Sequence, residues 1–469
     1  MKNENVIQKQ ILNLHMHKQV SSPFAFQEEV SKWCNKVLMN AIEKVLEKYT
    51  GIEEIITIDK LELSLDADGI LDEAIAEKIA LCLEKEIQSR IYSGSVVKHS
   101  EAANSLEVFI FFLQNGYLPW WSNATQIDFD VFEKLIDKDA QKRLSELFKN
   151  KSIAARVAAS LPQKNFIKII VRVFDANENE VESLFQKVEE LASIVQDQNQ
   201  RNQFIVLMKQ QVIMALQHDK QEAEIMKYAI DLLVEKYWLN QEELRQQIEV
   251  GEILSQDIVL HKMISLTSTK EQSKCMNFVS TDNLNSDIHR KEITSIQKES
   301  LSQKHDGIYI SNAGLVLLAP FIPRLFENLG IVANDSFNNK DIALAMLQWL
   351  ATGKDLHAEF DLVLPKIICG MEPGEPVMII PVLPEGFKKE GEGLLQSVID
   401  HWSILKNTSV AGLQESFLQR EGKLSFQNNE WLLQVEQKPY DMLLEHLPWN
   451  IGMIRLSWMP YLLRTEWVG

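Results

Sequence analysis

Residues 203–217 read QFIVLMKQQVIMALQ, in which Phe204, Leu207, Met208, Val212 and Ala215 recur at steps of three and four. That spacing lines one face of an α-helix, because 3.6 residues complete a turn. Residues 222–238 repeat the pattern. No proline occurs between Pro162 and Pro320, and no glycine between Pro162 and Gly251, so neither of the strongest breakers interrupts the periodicity. The expectation is an unpunctuated helical middle. As a single helix, residues 164–260 would advance about 145 Å at about 1.5 Å per residue.

On the N-terminal side, residues 1–95 read as a helix, strand, helix unit. AFQEEVSKWCNKVLMNAIEKVLEKY at 25–49 places Val30, Trp33, Val37, Ile42, Val45 and Leu46 on an amphipathic pattern, and Gly51 is a stop signal. In IEEIITIDKLELSLD, Leu61, Leu63 and Leu65 alternate with Glu62 and Ser64, which is the period of a half-buried strand. LDEAIAEKIALCLEKEIQSRIY from Leu71 returns to helix. A lone strand must find a partner, in the C-terminal half or in another chain.

On the C-terminal side, residues 261–306 read as a flexible linker. From Ser265 to Ser302, 12 of 38 positions are Ser or Thr, leaving too little apolar surface to offset the entropy of an ordered chain. The linker separates a helical middle, 96–260, from a C-terminal α+β domain, 307–469. That domain holds ten of the 13 prolines and six of the ten tryptophans. NAGLVLLAPFIPRLFENLGI, broken by Pro320 and Pro323, predicts two short helical turns; KDIALAMLQWLATG predicts a buried helix stopped at Gly353. In KLSFQNNEWLLQVEQ, Asn428 and Asn429 between alternating runs predict a hairpin, and WNIGMIRLSWMPYLLRTEWV predicts short strands with a turn near Pro460. Trp449, Ile451, Ile454, Leu456 and Trp458 are expected in the core. The fold class is α+β, predominantly helical, with small strand elements near the N-terminus and in the C-terminal domain.

The 66 acidic and 48 basic residues give a net charge of −18, divided −12, +1 and −7 before, within and after the linker. Neither folded half is basic, which argues against nucleic acid as a partner. Cys34, Cys82, Cys275 and Cys369 form no CxxC or Cys/His cluster of the kind zinc sites use, and read as reduced structural residues. The polar N-terminus lacks the apolar stretch of a secretory signal. The longest apolar run, AGLVLLAPFIP at 313–323, is far short of the roughly 20 residues that cross a bilayer, so no stable membrane insertion is expected. With a cytoplasmic chain, the N-x-S/T matches at Asn123 and Asn407 carry no meaning.

Candidate chemistry is sparse. Asp400, His401 and His446 with Ser397 or Ser416 could suggest a triad, but neighbours on a helix face different ways and no GxSxG elbow is present. GEG at 391–393 lacks the spacing of a phosphate loop and reads as a helix-initiating loop. Glutamates along 178–252 alternate with Gln, Asn and Lys, the pattern of a solvated face. No catalytic, cofactor-binding or metal residue is assigned, and no enzyme is expected.

IQKQILNLHMH and ITIDKLELSLD near the N-terminus resemble the start of the contractile injection system tape measure family, found in phage-tail-like particles. GLVLLAPFIPRLFENLG, LQWLATG, LPKIICGMEP, HWSILKNTSVAGLQESFLQREGKL, EHLPWNIGMIRLSWM and the final EW resemble its C-terminal block in order and spacing. The resemblance implies a structural assembly protein that helps set tube and sheath length, with no catalytic residues and no cofactors. The alternative is an assembly chaperone or baseplate adaptor binding tube or spike proteins. Implied partners are tube, baseplate or spike proteins, with self-association through apolar helix stripes. The implied location is the bacterial cytoplasm during assembly, or the inside of the tube.

Overall fold

The computed structural model describes residues 23–49, 54–58, 61–65, 72–93, 97–122, 135–218, 221–237, 306–355, 357–378, 381–405 and 407–467, with Ile7, Gln10, Leu12 and Gln246. The expected linker, apart from Asp306, lies outside them. By contact density the chain divides into two compact units. One is Met1–Val108 with Trp121–Ile127; the other is Phe109–Trp120 with Asp128–Gly469.

The described part of the first unit is built on two apolar helical stripes packed together. The helix Pro23–Trp33 continues through a π-helical turn, Cys34–Leu38, into Met39–Leu46. It packs on Glu73–Ser93, burying Leu38, Ile42 and Val45 against Ala76, Ala80, Leu83 and Ile87. Both sets step by three and four, so each presents a single apolar seam. Trp33 closes one end, its indole N–H donating to the Asp72 carbonyl at 3.0 Å. A short antiparallel ladder pairs Glu54–Thr57 with Val97–Ser100. The alternating residues Leu61, Leu63 and Leu65 are not in a strand: Leu63 and Leu65 are exposed, and period-two alternation without a paired neighbour does not make a sheet.

In the second unit the middle is not one helix. It is cut into Lys138–Leu147, Lys151–Ser160, Gln163–Phe174, Glu178–Ser193, Gln198–Gln217 and Glu222–Glu235. Four of the six helices start on an Asx cap, whereas Gln163–Phe174 starts after Pro162 and Glu222–Glu235 after Gln221 without a side-chain cap. Asp137, Asn150, Asn177 and Asp197 each accept a hydrogen bond from a backbone N–H in the first turn that follows, satisfying a donor that has no partner within the helix. Asp175, at φ 53°, ends one helix in the left-handed region without a glycine. The longest piece has 20 residues, about 30 Å. It packs against four of the other helices and buries Phe204, Met208, Val212 and Ile213. Phe166 meets Phe185 edge-on at 5.6 Å inside the stack.

The C-terminal elements follow the sequence closely. A five-stranded sheet runs in the order Asp306–Ile310, Gly422–Gln427, Glu430–Val435, Leu462–Glu466, Met453–Ile454, antiparallel except for the parallel pair Glu430–Val435 with Leu462–Glu466. Asn428 (φ 51°) and Asn429 (φ 65°) form the tight turn of its hairpin, both left-handed as a two-residue loop requires. The helix Lys340–Thr352 is buried from Ala343 to Ala351, capped by the Asn339 side chain at one end and by Gly353 at φ 70° at the other. Beside it lie the 3₁₀ helix Ala313–Leu318 and the helix Ile322–Asn328, the two short turns expected around Pro320. Ile454 is buried, whereas Trp449, Ile451, Leu456 and Trp458 are half-buried against the core. Trp449 stands edge-on to Phe321 at 5.0 Å and donates to the Leu317 carbonyl at 3.0 Å.

GEG at 391–393 is a correction: it lies inside the helix Glu385–His401 and does not start it. Gly391 faces the helix Lys340–Thr352, where a Cβ would come within 2.6 Å of Met346 Cε and 2.7 Å of the Trp349 ring; at Gly393 it would meet nothing within 4 Å. The two glycines therefore predict opposite signs. Gly393→Ala should raise the denaturant midpoint, gaining about 0.5 to 1 kcal/mol of helix propensity. Gly391→Ala should lower it, since overpacking costs about 1 to 3 kcal/mol. Equal shifts from the two variants in urea unfolding would contradict the packing.

Candidate functional site

The side chains that the sequence places nearest to a triad are not brought together. Ser397 Oγ donates to the Gly393 carbonyl at 2.8 Å, Asp400 accepts from Gln396 at 3.0 Å, and His401 Nδ1 lies 2.6 Å from the Ser397 carbonyl. His446 is exposed at the end of the 3₁₀ helix Pro439–His446. Ser416 sits in the π-helical turn Gln414–Leu418, where its carbonyl accepts from Tyr440 Oη at 3.3 Å. Cys34 and Cys82 are half-buried free thiols, and burial pushes the Cys369 thiol far above its ordinary range. Cys275 lies outside the described residues. Among the described residues no group of three His, Cys, Asp or Glu side chains is placed to hold a metal ion.

The charged groups that the structure does assemble are buried ones. Arg156, from the helix Lys151–Ser160, meets Glu359 at 3.0 Å between Nε and Oε2, and Lys366 Nζ meets Glu359 Oε1 at 2.7 Å. The three side chains are 1%, 3% and 0% exposed, so one carboxylate holds two cations out of water. Backbone carbonyls take the remaining donors. Arg156 donates to Leu113 and Gly374, and Lys366 to Pro373. Burial lowers the Lys366 pKa, while the Glu359 charge and hydrogen bond oppose that shift. Gly116, at φ 77°, leaves room for the centre: a Cβ there would lie 2.8 Å from Arg156 Nη2.

A second buried pair anchors the last strand. Arg420 forks onto Asp441, with Nη1 to Oδ1 at 2.7 Å and Nη2 to Oδ2 at 2.9 Å, and the Trp467 indole N–H donates to Oδ2 at 3.1 Å. Burial alone would raise the Asp441 pKa, but the hydrogen bonds from Arg420, the Lys438 N–H and Trp467 hold it below the usual carboxylate range. Neither centre was singled out from the sequence. Arg156 had a visible signal, a lone charge inside SIAARVAAS, as did Lys366 inside VLPKII; Arg420 and Asp441 had none.

The comparison with known families supplies the identity. Residues 4–467 match the family described as contractile injection system tape measure protein. The chain belongs to that family. No curated protein matches the chain, and no solved structure does. Family membership gives the chain a structural, non-enzymatic role in an injection particle. Among the described residues no helix is long and apolar enough to cross a membrane.

Within the stack one buried cation is held, among the described residues, by a backbone carbonyl and an aromatic ring and not by a carboxylate. Lys209 is 5% exposed, donates to the Leu161 carbonyl at 2.6 Å and lies 5.3 Å from the Phe166 ring centre. Burial brings its pKa down from 10.5 to about 8. Between these values the unfolded chain binds a proton that the folded one does not, so Lys209 favours the folded state increasingly as pH rises from about 8 to about 10. The stability difference between the native chain and Lys209→Met should therefore move toward the native chain by up to about 3 kcal/mol over that window. Comparing the two forms cancels the tyrosine titrations. A pH-independent difference in denaturant unfolding would contradict the buried placement.

Proposed function

We propose that the chain helps set tube and sheath length as a folded component that binds tube, baseplate or spike proteins during assembly in the cytoplasm or inside the tube. The family match over residues 4–467 carries this reading. The helical stack supports a compact form: among its described helices the longest reaches about 30 Å, far short of a stretched helical gauge. Length control would then act through surfaces of the folded body. The same stack favours a second reading, an assembly chaperone or baseplate adaptor, because such a role needs surfaces and not contour length.

Particles purified from a strain lacking the chain separate the two in electron micrographs. Length setting predicts particles of scattered length, or no complete particle. An adaptor predicts particles of native length in reduced number, and that outcome would remove the length-setting role.

A further inference from the structure

Among the described residues of the second unit, a C-terminal apolar core and the packed helices of 138–235 meet at an ionic centre. The C-terminal core gathers residues from Ile308 to Trp467 with Tyr117, and includes no residue of 135–235. The helices of 138–235 pack along one another, and among the described residues none packs closely along a C-terminal helix or strand. The two parts meet instead at the Arg156–Glu359–Lys366 centre, joined by Asn199, whose side chain exchanges two hydrogen bonds with the Val382 backbone, and by Gln210 on Met378 Sδ. The segment 111–117, which precedes the stack, lies at the same junction: Phe112 stands edge-on to Phe360 at 5.8 Å, and Phe111 and Tyr117 pack on the C-terminal core.

A junction of this composition is an unusual way to hold two bodies permanently. Stripping water from two cations and a carboxylate costs free energy that their mutual attraction returns only in part, and apolar side chains of similar volume would hold as well or better. What the ionic centre supplies is register, since Glu359 accepts both cations only in one arrangement. It also supplies reversibility, because each polar group at the junction can exchange its partner for water when the parts separate. Gly116 shows that the backbone is shaped to admit the centre, since any other residue would be driven into Arg156 and Glu359.

We propose that the Arg156–Glu359–Lys366 centre is a releasable latch that sets the register between the helical stack of 135–235 and the C-terminal elements, which can part while each keeps its own core. The inference holds for a length gauge and for an adaptor alike. In either case it gives the chain two arrangements, closed and open, without unfolding.

Hydrogen exchange with mass spectrometry on the full chain tests it. Glu359→Gln removes the charge that both cations share, and Gly116→Ala wedges the junction without touching a charge. Both should speed exchange at 111–118 and 372–378 at least about tenfold while leaving 207–213 and 344–351 at native rates. The triple variant Arg156→Met, Glu359→Leu, Lys366→Met removes every charge and should slow exchange at the junction below the native rate. Faster exchange throughout both cores, an insoluble Glu359→Gln chain, or an apolar variant whose junction opens faster than the native one would each overturn the latch, because the centre would then be a foundation of one cooperative unit.

Discussion

A helix cannot begin without leaving backbone N–H groups that its own turns do not satisfy, and in the middle of this chain that requirement decides the architecture. Asp137, Asn150, Asn177 and Asp197 supply the acceptors. Each makes a helix start favourable by satisfying a first-turn N–H. The pieces that result are 10 to 20 residues long, lengths at which most helical stability in proteins comes from tertiary packing. They persist because they bury Phe166, Phe185, Phe204 and Met208 against one another. Capping thus turns an apparently continuous amphipathic pattern into a stack, and stacking takes up the apolar stripes that would otherwise be free to pair with other chains.

The buried charges act at a different level. The Arg420–Asp441–Trp467 cluster fixes the final strand within the C-terminal core, with every carboxylate oxygen of Asp441 engaged. The Arg156–Glu359–Lys366 centre joins segments 203 residues apart in sequence. Both are built so that a cation has a unique place to go, which apolar packing does not enforce. For a protein that works by assembling with others, a defined arrangement of folded parts is the property on which contact surfaces depend.

Much of this was legible in the residues. Asn428 and Asn429 announced the hairpin because both tolerate the left-handed backbone that a two-residue turn needs, and Gly353 announced the end of Lys340–Thr352 for the same reason. The family was legible from long strings at both ends. The middle is helical as expected, but its breaks were not legible because only proline and glycine were weighed as breakers, whereas at Asn177 and Asp197 an Asx side chain restarts a helix. GEG was misread because a glycine's local preference for loops was overridden by the close approach of Trp349, a contact that no local pattern contains. Leu61, Leu63 and Leu65 had the right alternation, but pairing fell to Glu54–Thr57. The buried ionic residues come from distant segments, so no spacing rule could have joined them.

The central claim is that the chain works with its helical stack folded. Lys187 and Glu222 pair at 2.7 Å across the helices Glu178–Ser193 and Glu222–Glu235, so cysteines at these two positions can be bridged by a short bismaleimide. The background would carry Ser at Cys34, Cys82 and Cys275 and Ala at buried Cys369. Particles assembled from bridged chain, compared with the unbridged double variant in electron micrographs, should show the same length distribution. Shortened particles, or none, only when the bridge is closed would contradict the account and show that the stack must unravel for the tape measure to act.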